Sequence, residues 1–144
     1  MQDMYAIWKT YMRLIERLNH SFKLIKTKKL IFMSDCRPKI LVESHNYNIA
    51  QCPHCSRVGL YYHNILIGFE LKEFCSFSKS VLRIDFDMNC LLFPDEEEHV
   101  VLNTCHRDIQ LSFKRREFEE FSSMLNQALL IIQAEQFVKI RKNG

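Results

Sequence analysis

One pattern occurs twice in this chain of 144 residues, and it limits the folds that the chain can adopt. A segment with apolar residues at alternate positions runs into a segment of helical spacing that begins Glu-Phe-x-x-Phe-Ser. The second copy follows the first by 44 residues, the difference between positions 65 and 109. Agreement at seven positions indicates an internal duplication. The matched pairs are Ile65 and Ile109, Ile67 and Leu111, Phe69 and Phe113, Glu73 and Glu117, Phe74 and Phe118, Phe77 and Phe121, Ser78 and Ser122.

Each copy predicts a strand that leads directly into a helix, with the helix folding its Phe side chains back onto one face of the sheet. Glu73 and Glu117 then fall in the first helical turn, where the positive end of the helix dipole favours a carboxylate. We therefore interpret the two glutamates as residues of helix starts, in preference to a general acid and base pair.

The rest of the chain supplies hairpins around these two units. Alternating apolar positions and polar turns predict strands over 39–43, 47–51, 58–62, 65–69, 90–93, 100–103 and 109–113, and helical spacing predicts helices over 70–83 and 114–141. This predicts an α+β fold in which two tandem strand-strand-helix units, about 36–84 and 88–142, form an antiparallel sheet with the helices on one face.

The first 32 residues form a separate leader ahead of a domain over 33–144. Apolar residues recur at helical spacing over residues 3–29, which predicts an amphipathic helix. Three interpretations stay open: the helix packs on the domain, or the chain properly starts at Met33, or, least favoured, the helix contacts an anionic membrane surface.

The positive charge of the chain lies almost entirely in this leader. Residues 1–33 carry seven Lys or Arg and two acidic residues, a net of +5, and the remaining residues carry 13 against 15, a net of −2. Nucleic-acid binding by the domain is therefore poorly supported, since phosphates require a concentrated positive surface.

The sequence excludes several other classes. No apolar run is long enough to span a bilayer, and charged residues interrupt the N-terminal segment where a secretion signal would need continuous apolar residues. We therefore expect a cytoplasmic protein whose six cysteines are reduced or bind metal. With three glycines the chain has no phosphate-binding loop, and the usual hydrolase and kinase motifs are missing, so a catalytic centre is not predicted.

The one motif whose spacing indicates a chemical function is Cys52-Pro53-His54-Cys55. Two thiolates three residues apart can point at one tetrahedral zinc ion, and they can equally form the disulfide of an oxidoreductase. A zinc site needs further ligands, for which Cys36 and Cys105 are the candidates, with His106 as an alternative to its neighbour Cys105. Plain reduced thiols are a further interpretation, and the redox one is weaker because the segment that follows is predicted to be a strand, not a helix.

The C-terminal helix is about twice as long as its partner in the first unit, and its later part is apolar on nearly every side. One apolar stripe of the helix is enough to cover the sheet. Four further apolar residues are then left without a predicted contact: Leu130, Ala134, Phe137 and Ile131. We therefore expect a homodimer through this helix, unless the leader covers the same surface.

Several of these residues resemble a small uncharacterised bacterial protein family. The resemblance rests on Met33, on the run Arg37 to Leu41, on the Cys-x-x-Cys, on apolar positions 58, 60 and 62 of the following strand, and on the Glu73-Phe74 helix start. It covers about residues 33 to 140, although a Gly-Thr turn typical of the family is replaced here by His63-Asn64. The resemblance implies no activity.

Together these features predict a non-catalytic binding or structural module with a zinc knuckle. A thiol-disulfide redox protein that uses Cys52 and Cys55 is the first alternative. The second is an adaptor that associates with surfaces through the basic leader.

Overall fold

The computed structural model describes residues 37–143 and shows an α+β fold. The predicted helix over residues 3–29 and Cys36 lie outside the described residues. The elements are β1 (Lys39–Glu43), β2 (Tyr47–Gln51), β3 (Arg57–Tyr62), β4 (Ile65–Glu70), α1 (Leu71–Val81), α2 (Phe86–Asn89), β5 (Leu91–Leu92), β6 (Glu98–Asn103), β7 (Gln110–Lys114) and α3 (Arg115–Asn143).

The first four strands form an antiparallel meander in the order β1-β2-β3-β4. Its inner face is a row of paired apolar residues, with Ile49 opposite Leu60 and Leu60 opposite Ile67. The loop between β3 and β4 has only two residues, and His63 adopts a left-handed backbone with φ of 52°. A positive φ at that position gives the loop the twist that the two strands need.

The remaining strands form a second, separate sheet in the order β5-β6-β7. The sequence predicted one sheet, whereas the structure has two. The reason is that strands joined by hairpins pair with each other within their own half of the chain. The four-residue helix α2 was not predicted. It starts at Asp85, whose carboxylate accepts a hydrogen bond from the Met88 N–H at 3.1 Å, and it buries Phe86.

The two junctions from strand to helix are built in the same way. At the start of α1 the Glu73 carboxylate accepts a hydrogen bond from the backbone N–H of Glu70 at 3.1 Å. At the start of α3 the Glu117 carboxylate accepts one from the backbone N–H of Lys114 at 3.0 Å. The structural interpretation of both glutamates is confirmed. The duplication itself, with its two units, stays a prediction that this equivalence supports.

A cluster of aromatic rings joins the two sheets and both long helices. Tyr62 of the first sheet lies 5.5 Å from Phe113 of the second and 5.1 Å from Phe121 of α3, measured between ring centroids. Phe77 of α1 contacts Phe121 at 6.4 Å and stacks on Phe69 at 5.2 Å. Burial raises the pKa of Tyr62 to about 12, with the Glu117 and Glu120 carboxylates adding to the effect, so its hydroxyl is neutral throughout the physiological range.

The long helix α3 crosses both halves of the fold. It packs on β6 and β7 of the second sheet and on β1 of the first, and its residues from Phe121 to Ile132 supply much of the common core. Near its C-terminal end Glu135 forms an ion pair with Lys39 at the start of β1. No helix among residues 37–143 is long and apolar enough to cross a membrane.

Replacing Phe121 by Ala should lower the free energy of unfolding by about 3–5 kcal/mol, because it removes a fully buried ring and leaves a cavity. The matched control is Phe137→Ala in the same helix, where the ring is exposed and the change should stay within about 0.5 kcal/mol at low protein concentration. Urea denaturation measures both. Equal losses of unfolding free energy in the two variants would contradict the burial of Phe121 in the aromatic core.

A chain that begins at Met33 should unfold as cooperatively as the full chain, because residues 37–143 contain a continuous core built from both sheets. Thermal unfolding followed by circular dichroism compares the two. A large loss of Tm in the shorter chain would show that residues 1–32 belong to the core.

Candidate metal centre

The Cys-x-x-Cys segment forms the turn between β2 and β3. Cys52 directly follows β2, and its backbone N–H donates to the Arg57 carbonyl at 2.9 Å. The Ser56 N–H donates to the Cys52 carbonyl, also at 2.9 Å, and Ser56 has a left-handed backbone with φ of 58°. These two hydrogen bonds close the turn, so the four residues are held between two paired strands.

The turn directs a backbone donor at one of the two sulfur atoms. The Cys55 N–H donates to Cys52 Sγ at 3.4 Å, a bond across three residues. The Cys52 side chain is fully buried and that of Cys55 is half-buried. A hydrogen bond to a thiolate favours its charged form, the form that binds metals. Both cysteines therefore belong to one local structure with the features of a metal-binding knuckle.

Among the described residues, Cys105 and His106 are not part of this arrangement. Within the range 37–143 no three His, Cys, Asp or Glu side chains are grouped so that they could hold a metal ion. Cys105, and His106 next to it, lie exposed in the loop between β6 and β7 and therefore form no such group with the knuckle. Since Cys36 is outside the described residues, the four-cysteine site stays a prediction.

The location of the turn bears on redox chemistry. Thiol oxidoreductases place the first cysteine at the N-terminus of a helix, whose dipole lowers the pKa of the thiol. Here the turn connects two strands, so neither element that it joins supplies a helix dipole. Two other cysteines, at positions 75 and 90, are half-buried free thiols, and in both the loss of solvent is the largest cause of a raised pKa. A raised pKa makes these two thiols poor nucleophiles.

A polar network that the sequence analysis missed lies on the outer face of the second sheet. His99 of β6 is buried, and its Nδ1 lies 2.7 Å from Ser112 Oγ while its Nε2 lies 3.0 Å from Asp95 Oδ2. Phe93 stacks on the imidazole at 4.4 Å between ring centroids, with an interplanar angle of 20°. Lys114 Nζ then bridges Asp95 and Glu97, at 3.2 Å from each.

This network contains a Ser, a His and an Asp, the residue types of a hydrolase triad, but its contacts favour a structural role. Asp95 also accepts a hydrogen bond from the Glu97 N–H at 3.2 Å, and Phe93 covers one face of the imidazole. The network thus ties the loop after β5 onto the sheet. The acidic run at 95–98, interpreted from sequence as a solvated turn, is partly engaged in it. No spacing could have revealed this, since His99 and Ser112 meet only through the pairing of β6 with β7.

Comparison with known proteins gives one match. Residues 33–141 match the model of a family described as a family of unknown function, DUF6686. The resemblance to an uncharacterised family is confirmed over almost the expected range, and the matched region contains the knuckle, both sheets and nearly all of α3. No curated protein and no solved structure matches the chain.

The stability of the second sheet should depend on the charge of Asp95. Burial alone would raise the pKa of this carboxyl, but hydrogen bonds from His99, the Glu97 N–H and Lys114 outweigh it and lower the pKa from 3.8 to about 2. A carboxyl whose pKa is lower in the folded than in the unfolded protein adds stability at pH values above its unfolded-state pKa. This contribution is lost as the pH falls through its folded-state pKa. The difference in Tm between the wild type and Asp95→Asn should therefore shrink between about pH 5 and pH 2.

The control is Glu96→Gln, which removes a carboxylate from the same exposed turn without changing the contacts of Asp95 with His99 and Lys114. Differential scanning calorimetry over this pH range measures all three proteins. A Tm difference between the wild type and Asp95→Asn that does not change with pH would contradict the stabilising role of the Asp95 charge.

Proposed function

Because the chain belongs to DUF6686, a family of unknown function, we propose a function from its own geometry: a non-catalytic binding or structural module with a zinc ion at the Cys52–Cys55 knuckle. The observation that carries the proposal is the 3.4 Å hydrogen bond from the Cys55 N–H to Cys52 Sγ inside a closed turn. Zinc binds thiolates in tetrahedral geometry, and two cysteines three residues apart are its commonest local ligand pair.

The register of the first sheet supports Cys36 as the next ligand in this proposal. Lys39 pairs with Gln51, so the residues before β1 approach the residues after β2. Cys52 follows Gln51 directly, and Cys36 precedes Lys39 by three residues, which span at most about 10 Å. Cys36 therefore has the reach to act as the third ligand. Cys105 is the weaker candidate, because its loop belongs to the other sheet.

A metal ion at this position would stabilise the edge of the first sheet. It would tie the segment that enters β1 to the turn between β2 and β3, and this adds to the pairing of β1 with β2. In structural zinc sites the free energy of metal binding contributes to the free energy of folding. Zinc is thus proposed as a structural element of the domain, with no reaction assigned to it.

Two other functions have less support. For a thiol-disulfide redox protein, the position of the turn between two strands argues against an activated cysteine. For a surface adaptor, the basic leader that would make the contact lies outside the described residues. A bacterial origin stays a prediction from the family resemblance. A cytoplasmic location also stays a prediction, and the free thiols at positions 75, 90 and 105 are those expected in a reducing compartment.

Protein purified without a metal-affinity tag should contain about one zinc ion per chain, as measured by inductively coupled plasma mass spectrometry. Cys52→Ser, Cys55→Ser and Cys36→Ser should each lose the metal. Cys105→Ser is the matched control and should retain it. Chelation should lower the Tm of the wild type and of the control, and leave the three ligand variants unchanged.

Three results would contradict the proposal or part of it. Wild-type protein with no metal and six titratable thiols would reject the zinc site altogether. Loss of zinc in Cys105→Ser together with its retention in Cys36→Ser would reject the choice of third ligand. Circular dichroism of each variant separates loss of metal from loss of fold.

A further inference from the structure

The apolar side of α3 changes near residue 132. Up to that point the buried residues recur at steps of four, three and four, at Phe121, Leu125, Ala128 and Ile132. The same steps then reach Glu135 and Lys139, which are polar. Leu130, Ala134 and Phe137 lie instead on the opposite side, because 3.6 residues per turn place each of them about half a turn from the buried stripe. The last part of the helix therefore presents its apolar side away from the core.

The apolar side chains of this part are well exposed. The exposed fractions are 56% for Leu130, 70% for Phe137, 53% for Val138 and 69% for Ile140. We call these four residues with Ala134 the tail stripe. Residues 136–142 are all exposed. On the side of the helix that faces the core, Glu135 forms an ion pair with Lys39. At 1.5 Å per residue, the 11 residues from 133 to 143 extend the helix by about 16 Å.

We propose that the tail stripe pairs with the tail stripe of a second copy of this chain, with the two helices antiparallel. The domain cannot cover the stripe itself, since the stripe lies opposite the side by which α3 packs on the sheets. A contiguous exposed apolar surface of this kind marks a site of protein association. The family match runs to residue 141 and begins at residue 33, so the tail stripe belongs to the shared domain and the leader does not. A second copy of the domain is accordingly a better fit than the leader.

Charge decides the direction of the two helices. The tail ends in Lys139, Arg141 and Lys142, and a parallel pair would bring the two basic ends together. An antiparallel pair separates them and also opposes the two helix dipoles. The exposed acidic residues Glu119 and Glu120 lie towards the other end of α3, the end to which the basic tail of the second copy points.

The small side chain of Ala134 fixes the centre of the pair. If Ala134 lies on the two-fold axis, Leu130 faces Val138 of the partner subunit, since both are four residues from the centre. A small residue at the crossing point lets the helices approach closely, and larger apolar residues fill the space on either side. A two-fold axis also makes the contact self-complementary, as in most soluble homodimers.

The size of the stripe sets the expected strength. Specific interfaces usually involve roughly 20–30 residues a side, and the five residues of the tail stripe are well below that number. We therefore expect a dissociation constant in the micromolar range, corresponding to about −8 kcal/mol or weaker.

Sedimentation equilibrium of the full chain, over low to several hundred micromolar, should show reversible dimerisation. Phe137→Glu should weaken it at least tenfold, because it places a charge within the apolar contact. Gln136→Glu adds the same charge on the neighbouring exposed position outside the stripe, and should change the dissociation constant less than twofold. Both should keep the wild-type Tm at low concentration, since neither residue lies in the core.

Cross-linking tests the direction. In a Cys105→Ser background, Ala134→Cys should form a disulfide dimer on mild oxidation, and Arg141→Cys should not, because only the first places two sulfur atoms within bonding distance. A parallel pair would cross-link at both positions. A full chain that stays monomeric throughout would overturn the proposal, and so would equal effects of the two charge variants. A monomer destabilised by Phe137→Glu would also overturn it, since residues of the same chain would then cover the stripe.

Discussion

The packing of Phe121 between the two sheets is the contact on which the rest of this structure depends. Each sheet is small, and a sheet of three or four strands is stable only when one face is covered by apolar residues. Tyr62 from the first sheet, Phe113 from the second and Phe77 from α1 all contact Phe121. One ring thus joins two separate sheets into a single core, and the helix that carries it packs on strands of both sheets.

In this arrangement the two ends of the fold have different proposed roles. The first sheet meets the incoming chain at β1, which among the described strands pairs with β2 and lies beside the turn of Cys52 and Cys55. A metal ion there would add to the support that this edge receives from α3. At its far end, α3 runs past its last core contact and presents apolar residues on the side away from the domain. The zinc knuckle and the dimer surface are separate proposals, because each would survive the failure of the other.

Much of the fold could be predicted because local rules determine it. Alternation predicted β1 and β2 with the bounds that the structure has, and the Glu-Phe pattern located the starts of α1 and α3 within one residue. The knuckle was also predictable, since its two cysteines are three residues apart on one turn. The network of His99, Ser112 and Asp95 was not, because a strand pairing brings these distant residues together, and neither a turn nor a helix repeat encodes that pairing.

The sequence by itself determined the α+β class, the order of the strands and of the two long helices, the helix starts capped by Glu73 and Glu117, and the spacing of the thiols in the knuckle. These depend on neighbours within about four positions, where backbone geometry and side-chain spacing are decisive. Only the tertiary structure decided that the strands form two sheets, that Cys105 stays apart from Cys52 and Cys55, and which side of α3 is buried at each point along its length. Those outcomes depend on how surfaces far apart in the chain fit together. Helical spacing defined the apolar stripes of α3, but the stripe that faces the core was selected by the packing of both sheets around Phe121.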